Sequence, residues 1–145
     1  MKPFLEAWPF WAAASAVFAA LTAIFAKIGI EGVGSDFATF VRTVVILCAI
    51  ALLLAVTGGW QAPGTVSGRS WLFLVLSGLA TGASWLCYFR ALKIGAASQV
   101  APVDKLSVVL VAIFAAVFLG ERLSAMHWLA VAMIGTGAVM LTLRI

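Results

Sequence analysis

Apolar residues in this chain come in long runs, and polar positions are gathered between the runs rather than alternating within them. Residues 8–28, 37–57, 71–92, 101–119 and 126–143 are each predominantly apolar. A helix needs roughly 20 such residues to cross a hydrocarbon core of about 30 Å, and each run is near that length. None alternates with period two, which argues against the strands of a membrane barrel. The pattern predicts an all-α membrane protein: five transmembrane helices forming a single domain over residues 1–145.

The punctuation between the runs supports this division. A Gly-rich loop follows the first run, and Ser35 or Asp36 stands where an N-cap is needed for the second. The longest connection, GGWQAPGTVSGRS over 58–70, holds five Gly or Pro residues and continues neither helix. Pro102 falls in the expected first turn of the fourth helix, where a missing N–H is tolerated. Gly120-Glu121-Arg122 makes a tight turn, and Ser124 caps the fifth helix. The first run follows Lys2 but is longer than a signal-peptide core of 7–15 residues, so it reads as an uncleaved span.

Composition narrows the class further. The chain is 65% apolar and 10% charged, whereas soluble domains carry about 25% charged residues. That excludes a water-soluble monomer, whose surface so few polar groups could not cover. The net charge of +4 comes from nine scattered Lys and Arg with no basic run. It points to orientation and anionic lipid in the bilayer, not to a nucleic-acid partner. With five helices the termini lie on opposite sides. Lys2, Arg69 and Arg122 fall on one side; Lys27, Arg42, Arg90, Lys93, Lys105 and Arg144 fall on the other. This favours an outside N-terminus and a cytoplasmic C-terminus in the inner (plasma) membrane. Arg42 and Lys105 lie inside their helices, and without them the bias is small enough for dual topology.

Soluble-enzyme chemistry finds no foothold. The single histidine, His127, permits no zinc cluster. Gly29, Gly32 and Gly34 follow a helix rather than a strand, unlike a dinucleotide fingerprint. Cys48 and Cys87 sit in separate runs with neither CxxC nor metal spacing and read as buried free thiols. No catalytic residue, metal or cofactor is expected. His127 beside Trp128 is either an interfacial residue or part of a proton relay.

The third helix carries more information. Ser77, Thr81, Ser84 and Tyr88 are spaced 4, 3 and 4 apart and fall within about 60° of arc, with Trp85 at the flank. Lipid cannot hydrogen-bond these hydroxyls. The stripe therefore either bonds to neighbouring helices or lines a wet cavity, where Trp85 and Tyr88 would stack on a solute. Gly78 and Gly82 form a GxxxG pair, and Gly135 with Gly137 serve the fifth helix as close-packing positions. A charge at a helix centre costs about 2.5–3.5 kcal/mol on insertion scales. Arg42 and Lys105, which start from the same side of the membrane, therefore either snorkel to that interface or line a vestibule for polar or anionic groups. Asp104 in the expected first turn of the fourth helix complements its dipole.

Taken together, these residues resemble an EamA domain of the drug/metabolite transporter superfamily. The likeness rests on Pro102-Val103 opening the fourth helix, Leu119-Gly120-Glu121-Arg122-Leu123 after it, and Trp128, Gly135 and Gly137 beyond. Upstream, Tyr88-Phe89-Arg90-Ala91-Leu92-Lys93 with Gly95 matches the domain's third helix and loop, and Arg42 its second-helix arginine. The resemblance implies one five-helix inverted-repeat unit. Family members commonly carry two such units of inverted orientation around a central cavity, so a single unit implies a homodimer, possibly antiparallel. The related small multidrug resistance proteins use an acid within the first helix, and here Glu6 only precedes it, so such cation/proton exchange is not implied. The expected function is a transporter protomer moving a small metabolite or drug-like solute by alternating access. Ser77, Thr81, Ser84, Trp85, Tyr88, Arg42 and Lys105 would lie on the path. The alternative is a non-transporting membrane partner subunit or assembly factor that packs through its Gly/Ala faces.

Overall fold

The computed structural model describes residues 7–142, and Lys2, Glu6, Leu143 and Arg144 lie outside the described residues. Every regular element among them is helical: α1 (Trp8–Gly29), α2 (Ser35–Thr57), a 3₁₀ turn at Pro63–Thr65, α3 (Gly68–Ile94), α4 (Ala97–Asp104), α5 (Ser107–Phe118) and α6 (Ala125–Met140). α1, α2, α3 and the combined stretch Ala97–Phe118 are long and apolar enough to cross a membrane. α6 has 16 residues, about 24 Å at 1.5 Å per residue.

The distribution of apolar side chains is inverted relative to a soluble domain. Val56 and Phe118 are each 77% exposed in the single chain, and leaving such a side chain in water forfeits about 1.5–3 kcal/mol. A lipid environment removes that cost.

Helix ends follow local chemistry, with two departures from the sequence reading. α2 begins at Ser35 with Gly34 at the N-cap position and no side-chain cap. Ser35 Oγ instead bonds Asp36 Oδ1 at 3.2 Å, because the Asp36 carboxylate is drawn into an ion pair described below. α2 ends where Gly58 turns left-handed at φ 67° and its N–H reaches the Leu54 carbonyl. Ser67 starts α3, its Oγ accepting from the Ser70 N–H at 3.1 Å. At α6 the expected Ser124 cap forms: Ser124 Oγ accepts from the His127 N–H at 3.3 Å. The Ser124 N–H in turn lies 3.4 Å from His127 Nδ1. His127 thereby takes the part that a glutamate or glutamine plays in an ordinary capping box.

The second departure is in the fourth span. It starts at Ala97, so Pro102 lies inside the helix rather than in its first turn, and the helix breaks at Lys105–Leu106 before resuming at Ser107. Proline removes one donor and crowds the carbonyl four residues back, here at Ser98, so its effect falls upstream of the break. Around the break the bonds tighten to three residues back: the Lys105 N–H is shared between Ala101 O at 3.3 Å and Pro102 O at 3.1 Å, while Leu106 reaches Val103 O at 3.0 Å and Val108 reaches Lys105 O at 3.0 Å. Asp104 and Lys105 therefore sit at a mid-span break, not at a helix start. The cysteines also differ from expectation: both are unpaired, but both are exposed on the chain's outer surface.

The chain divides into two compact units, one formed by Phe25–Ile94 and the other by the described residues up to Ile24 together with those from Gly95 onward. In the first, Ile30, Thr39, Phe89 and Leu92 are buried; in the second, Ala23 and Ala138 are. Within the second unit, α5 approaches α6 at Gly135, where an added Cβ would stand 3.3 Å from Val109 Cγ2.

Candidate functional site

The Phe25–Ile94 unit holds six of the seven path residues expected from sequence, on α2 and α3. On α3, Ser77, Thr81 and Ser84 are exposed, while Trp85 and Tyr88 are half-buried. Thr81 Oγ1 donates to the Ser77 carbonyl at 2.8 Å, a bond within the helix that satisfies this hydroxyl without help from a neighbour. Among the described residues the Ser77 and Ser84 hydroxyls have no hydrogen-bond partner. The stripe is thus an open polar face on a membrane-length helix.

Arg42 lies seven residues into α2, counting from Ser35, and its guanidinium is placed over α3. Its Cζ is 4.4 Å from the centre of the Trp85 ring and 5.5 Å from that of Phe89. Trp85 and Phe89 are four residues apart, so they share one helix face and form a two-ring bed. Such contacts contribute about 0.5–2 kcal/mol, more when desolvated. They offset part of the cost of an arginine in this setting. Tyr88 meets Phe89 edge-on, with ring centres 6.4 Å apart. Arg42 and Trp85 were both legible as candidates. Phe89 was not, although its spacing from Trp85 carries the signal.

A second polar group, unforeseen from the sequence, ties the ends of these helices together. Arg90 grips Asp36 with two bonds, Nε to Oδ1 at 3.1 Å and Nη2 to Oδ2 at 2.9 Å. Lys93 Nζ donates to the Val33 carbonyl at 2.9 Å, and Lys27 Nζ to the Leu92 carbonyl at 2.6 Å. The Leu92 carbonyl is among the last four of α3, which have no partner within the helix. The signal in the sequence was the basic residue in the last turn of α1 and of α3, where it complements the dipole.

Lys105, the seventh path candidate, belongs to the other unit and bonds its neighbour Asp104 at 3.3 Å. Of the four glycines expected to mark packing faces, Gly135 is approached by Val109. At Gly78, Gly82 and Gly137 an added Cβ would meet nothing within 4 Å. No group of three or more His, Cys, Asp or Glu capable of holding a metal occurs among the described residues.

The EamA-like transporter family matches residues 6–143 of this chain. A protein of Sinorhizobium sp, described as an uncharacterized transporter in the cobO 3′ region, is 64% identical over 136 residues, covering 94% of this chain and 96% of that protein. No solved structure matches. With long apolar helices and matches over nearly the whole sequence, the chain is a multi-pass membrane protein and belongs to the EamA-like transporter family.

Proposed function

We propose that the chain is a protomer of a drug/metabolite-type transporter, acting without catalytic chemistry or a cofactor to move a small solute across the inner (plasma) membrane. Residues 1–145 act as one five-helix unit, and two copies, antiparallel in the bilayer, enclose the path by alternating access. The observation that carries this reading is the open stripe on α3. Ser77 and Ser84 present unpartnered hydroxyls on a helix of membrane length, and hydrocarbon cannot satisfy them. A hydroxyl that does not turn back to its own helix, as Thr81 does, needs a second protein surface or water, and a water-filled path supplies it. Trp85, Tyr88 and Arg42 border the same stretch, and Lys105 is assigned to the path as well. The family and the transporter-named relative support the reading. Gly78 and Gly82, with open space beside them, are positions where a second copy's backbone can approach.

Cysteine accessibility tests it without knowledge of the solute. With Cys48 and Cys87 replaced by serine, Ser77→Cys, Thr81→Cys and Ser84→Cys should react in proteoliposomes with a membrane-impermeant maleimide. Leu79→Cys, on the opposite face of α3, should not. Equal inertness of all four removes the aqueous path. It favours the alternative, a partner subunit packing through its glycine faces, in which Gly82→Leu abolishes assembly and nothing else. Labelling of both termini from both sides of the cell membrane is the expected sign of the antiparallel dimer. A single uniform orientation overturns it.

A further inference from the structure

We propose that Arg42 is the anion-binding element of this path, and that the solute carries a carboxylate, or a like oxyanion, on an apolar body. The inference rests on the transporter reading above and narrows it to a substrate class.

The argument begins with what neutralises each charge. Between Phe25 and Ile94 there are five basic side chains, Lys27, Arg42, Arg69, Arg90 and Lys93, against two acidic ones, Glu31 and Asp36. Asp36 is committed to Arg90. Lys27 and Lys93 are committed to backbone carbonyls. Arg69 sits in the first turn of α3, its Cζ 5.9 Å from the Phe73 ring. Arg42 alone is both well inside a spanning helix and half-buried, and among the described residues it has no carboxylate within ion-pair range and no oxygen acceptor. Asp36, six residues earlier on α2, lies about 120° round the helix and so faces elsewhere.

The rings of Trp85 and Phe89 hold the guanidinium without neutralising it. A ring face attracts the cation but does not satisfy five N–H donors arranged as a fork. A carboxylate does, accepting two parallel bonds while adding the compensating charge. A cation at the same place is repelled, and a neutral solute leaves the charge uncompensated. The two rings supply apolar surface beside the charge, and Ser84 and Tyr88 flank Trp85 on α3 with polar groups. A small inorganic ion would use the fork but none of the ring surface. An amphipathic organic anion uses both.

The oxyanion has two possible sources, a transported solute or the phosphate of a lipid headgroup, and Trp85 itself distinguishes them. In lipid-free dodecyl maltoside, Trp85 emission is the difference between wild-type protein and Trp85→Phe. Relative to their quenching of free N-acetyltryptophanamide, iodide should quench it about tenfold more effectively than caesium, and Arg42→Gln should abolish that excess. Arg42→Lys should retain it. Benzoate should protect against iodide at a concentration about tenfold below that of benzylammonium or benzyl alcohol. Circular dichroism and gel filtration check that each variant is folded, and the probe comparison in wild-type protein needs no variant at all. Equal quenching by the two ions on that relative scale, or protection by benzylammonium as good as by benzoate, overturns the inference. Protection by phosphatidylglycerol but not by benzoate assigns the site to lipid and also overturns it. The transporter reading fails separately: charge-selective, benzoate-sensitive quenching together with inert stripe cysteines keeps the anion site and removes the path.

Discussion

The two units of this protein use their polar groups at different ranges. Between Phe25 and Ile94 they reach across the sequence: Arg90 to Asp36, Lys93 to Val33, Lys27 to Leu92, and Arg42 over Trp85. In the other unit several of them stay near home. Asp104 pairs with the adjacent Lys105, Ser124 caps with His127, and Thr136 Oγ1 returns to the Ala132 carbonyl one turn back. There, α5 and α6 meet through Gly135 and Val109. The difference teaches where chemistry is possible. Long-range bonds set the rotation and register of one helix against another, which is what holds Arg42 over two rings. Local bonds finish helix ends and breaks, and leave packing to small and aliphatic side chains.

The contrast makes specific demands on variants. The largest effect is expected from Lys27→Met, which leaves the Leu92 carbonyl without its donor and costs about 1–3 kcal/mol. A lowered thermal unfolding midpoint in detergent would register it. Gly135→Leu tests the other unit, where overpacking against Val109 should cost about 1–2 kcal/mol. Its midpoint should fall while the Trp85 emission of the first unit stays unchanged. Ser124→Ala removes the α6 cap and should cost about 1 kcal/mol, with faster amide hydrogen exchange confined to the first turn of that helix. The smallest effect belongs to Asp36→Asn and Arg90→Gln, because both side chains are well exposed and exposed pairs contribute little. Each should still loosen exchange at the ends of α2 and α3, and the double variant should be no worse than the worse single one. Additive losses would show that the pair is not coupled across the helices.

The elements themselves were legible. Run length told spans from loops, the Gly/Pro-rich 58–70 stretch marked the long connection, and Ser124 announced its cap, all through interactions within a few residues. The α3 stripe was legible for the same reason, since a fixed 100° per residue places Ser77, Thr81, Ser84 and Tyr88 on one face. Pro102 misled because a proline near an expected helix start is read as its first turn, whereas the helix had already begun at Ala97. Asp36 misled as a cap because a carboxylate beside an arginine from another helix has a stronger use than a backbone N–H.

What the sequence by itself determined is therefore the solvent and the inventory: a chain for lipid, with helices of spanning length and a few polar groups that lipid cannot satisfy. Those follow from composition and from periodicities that the peptide backbone imposes locally. Only the tertiary structure decided which of the polar groups meet. That depends on how α2 is turned against α3, a relation between residues 43 positions apart at Arg42 and Trp85. The same rotation that commits Asp36 to Arg90 leaves the Arg42 charge on its aromatic bed.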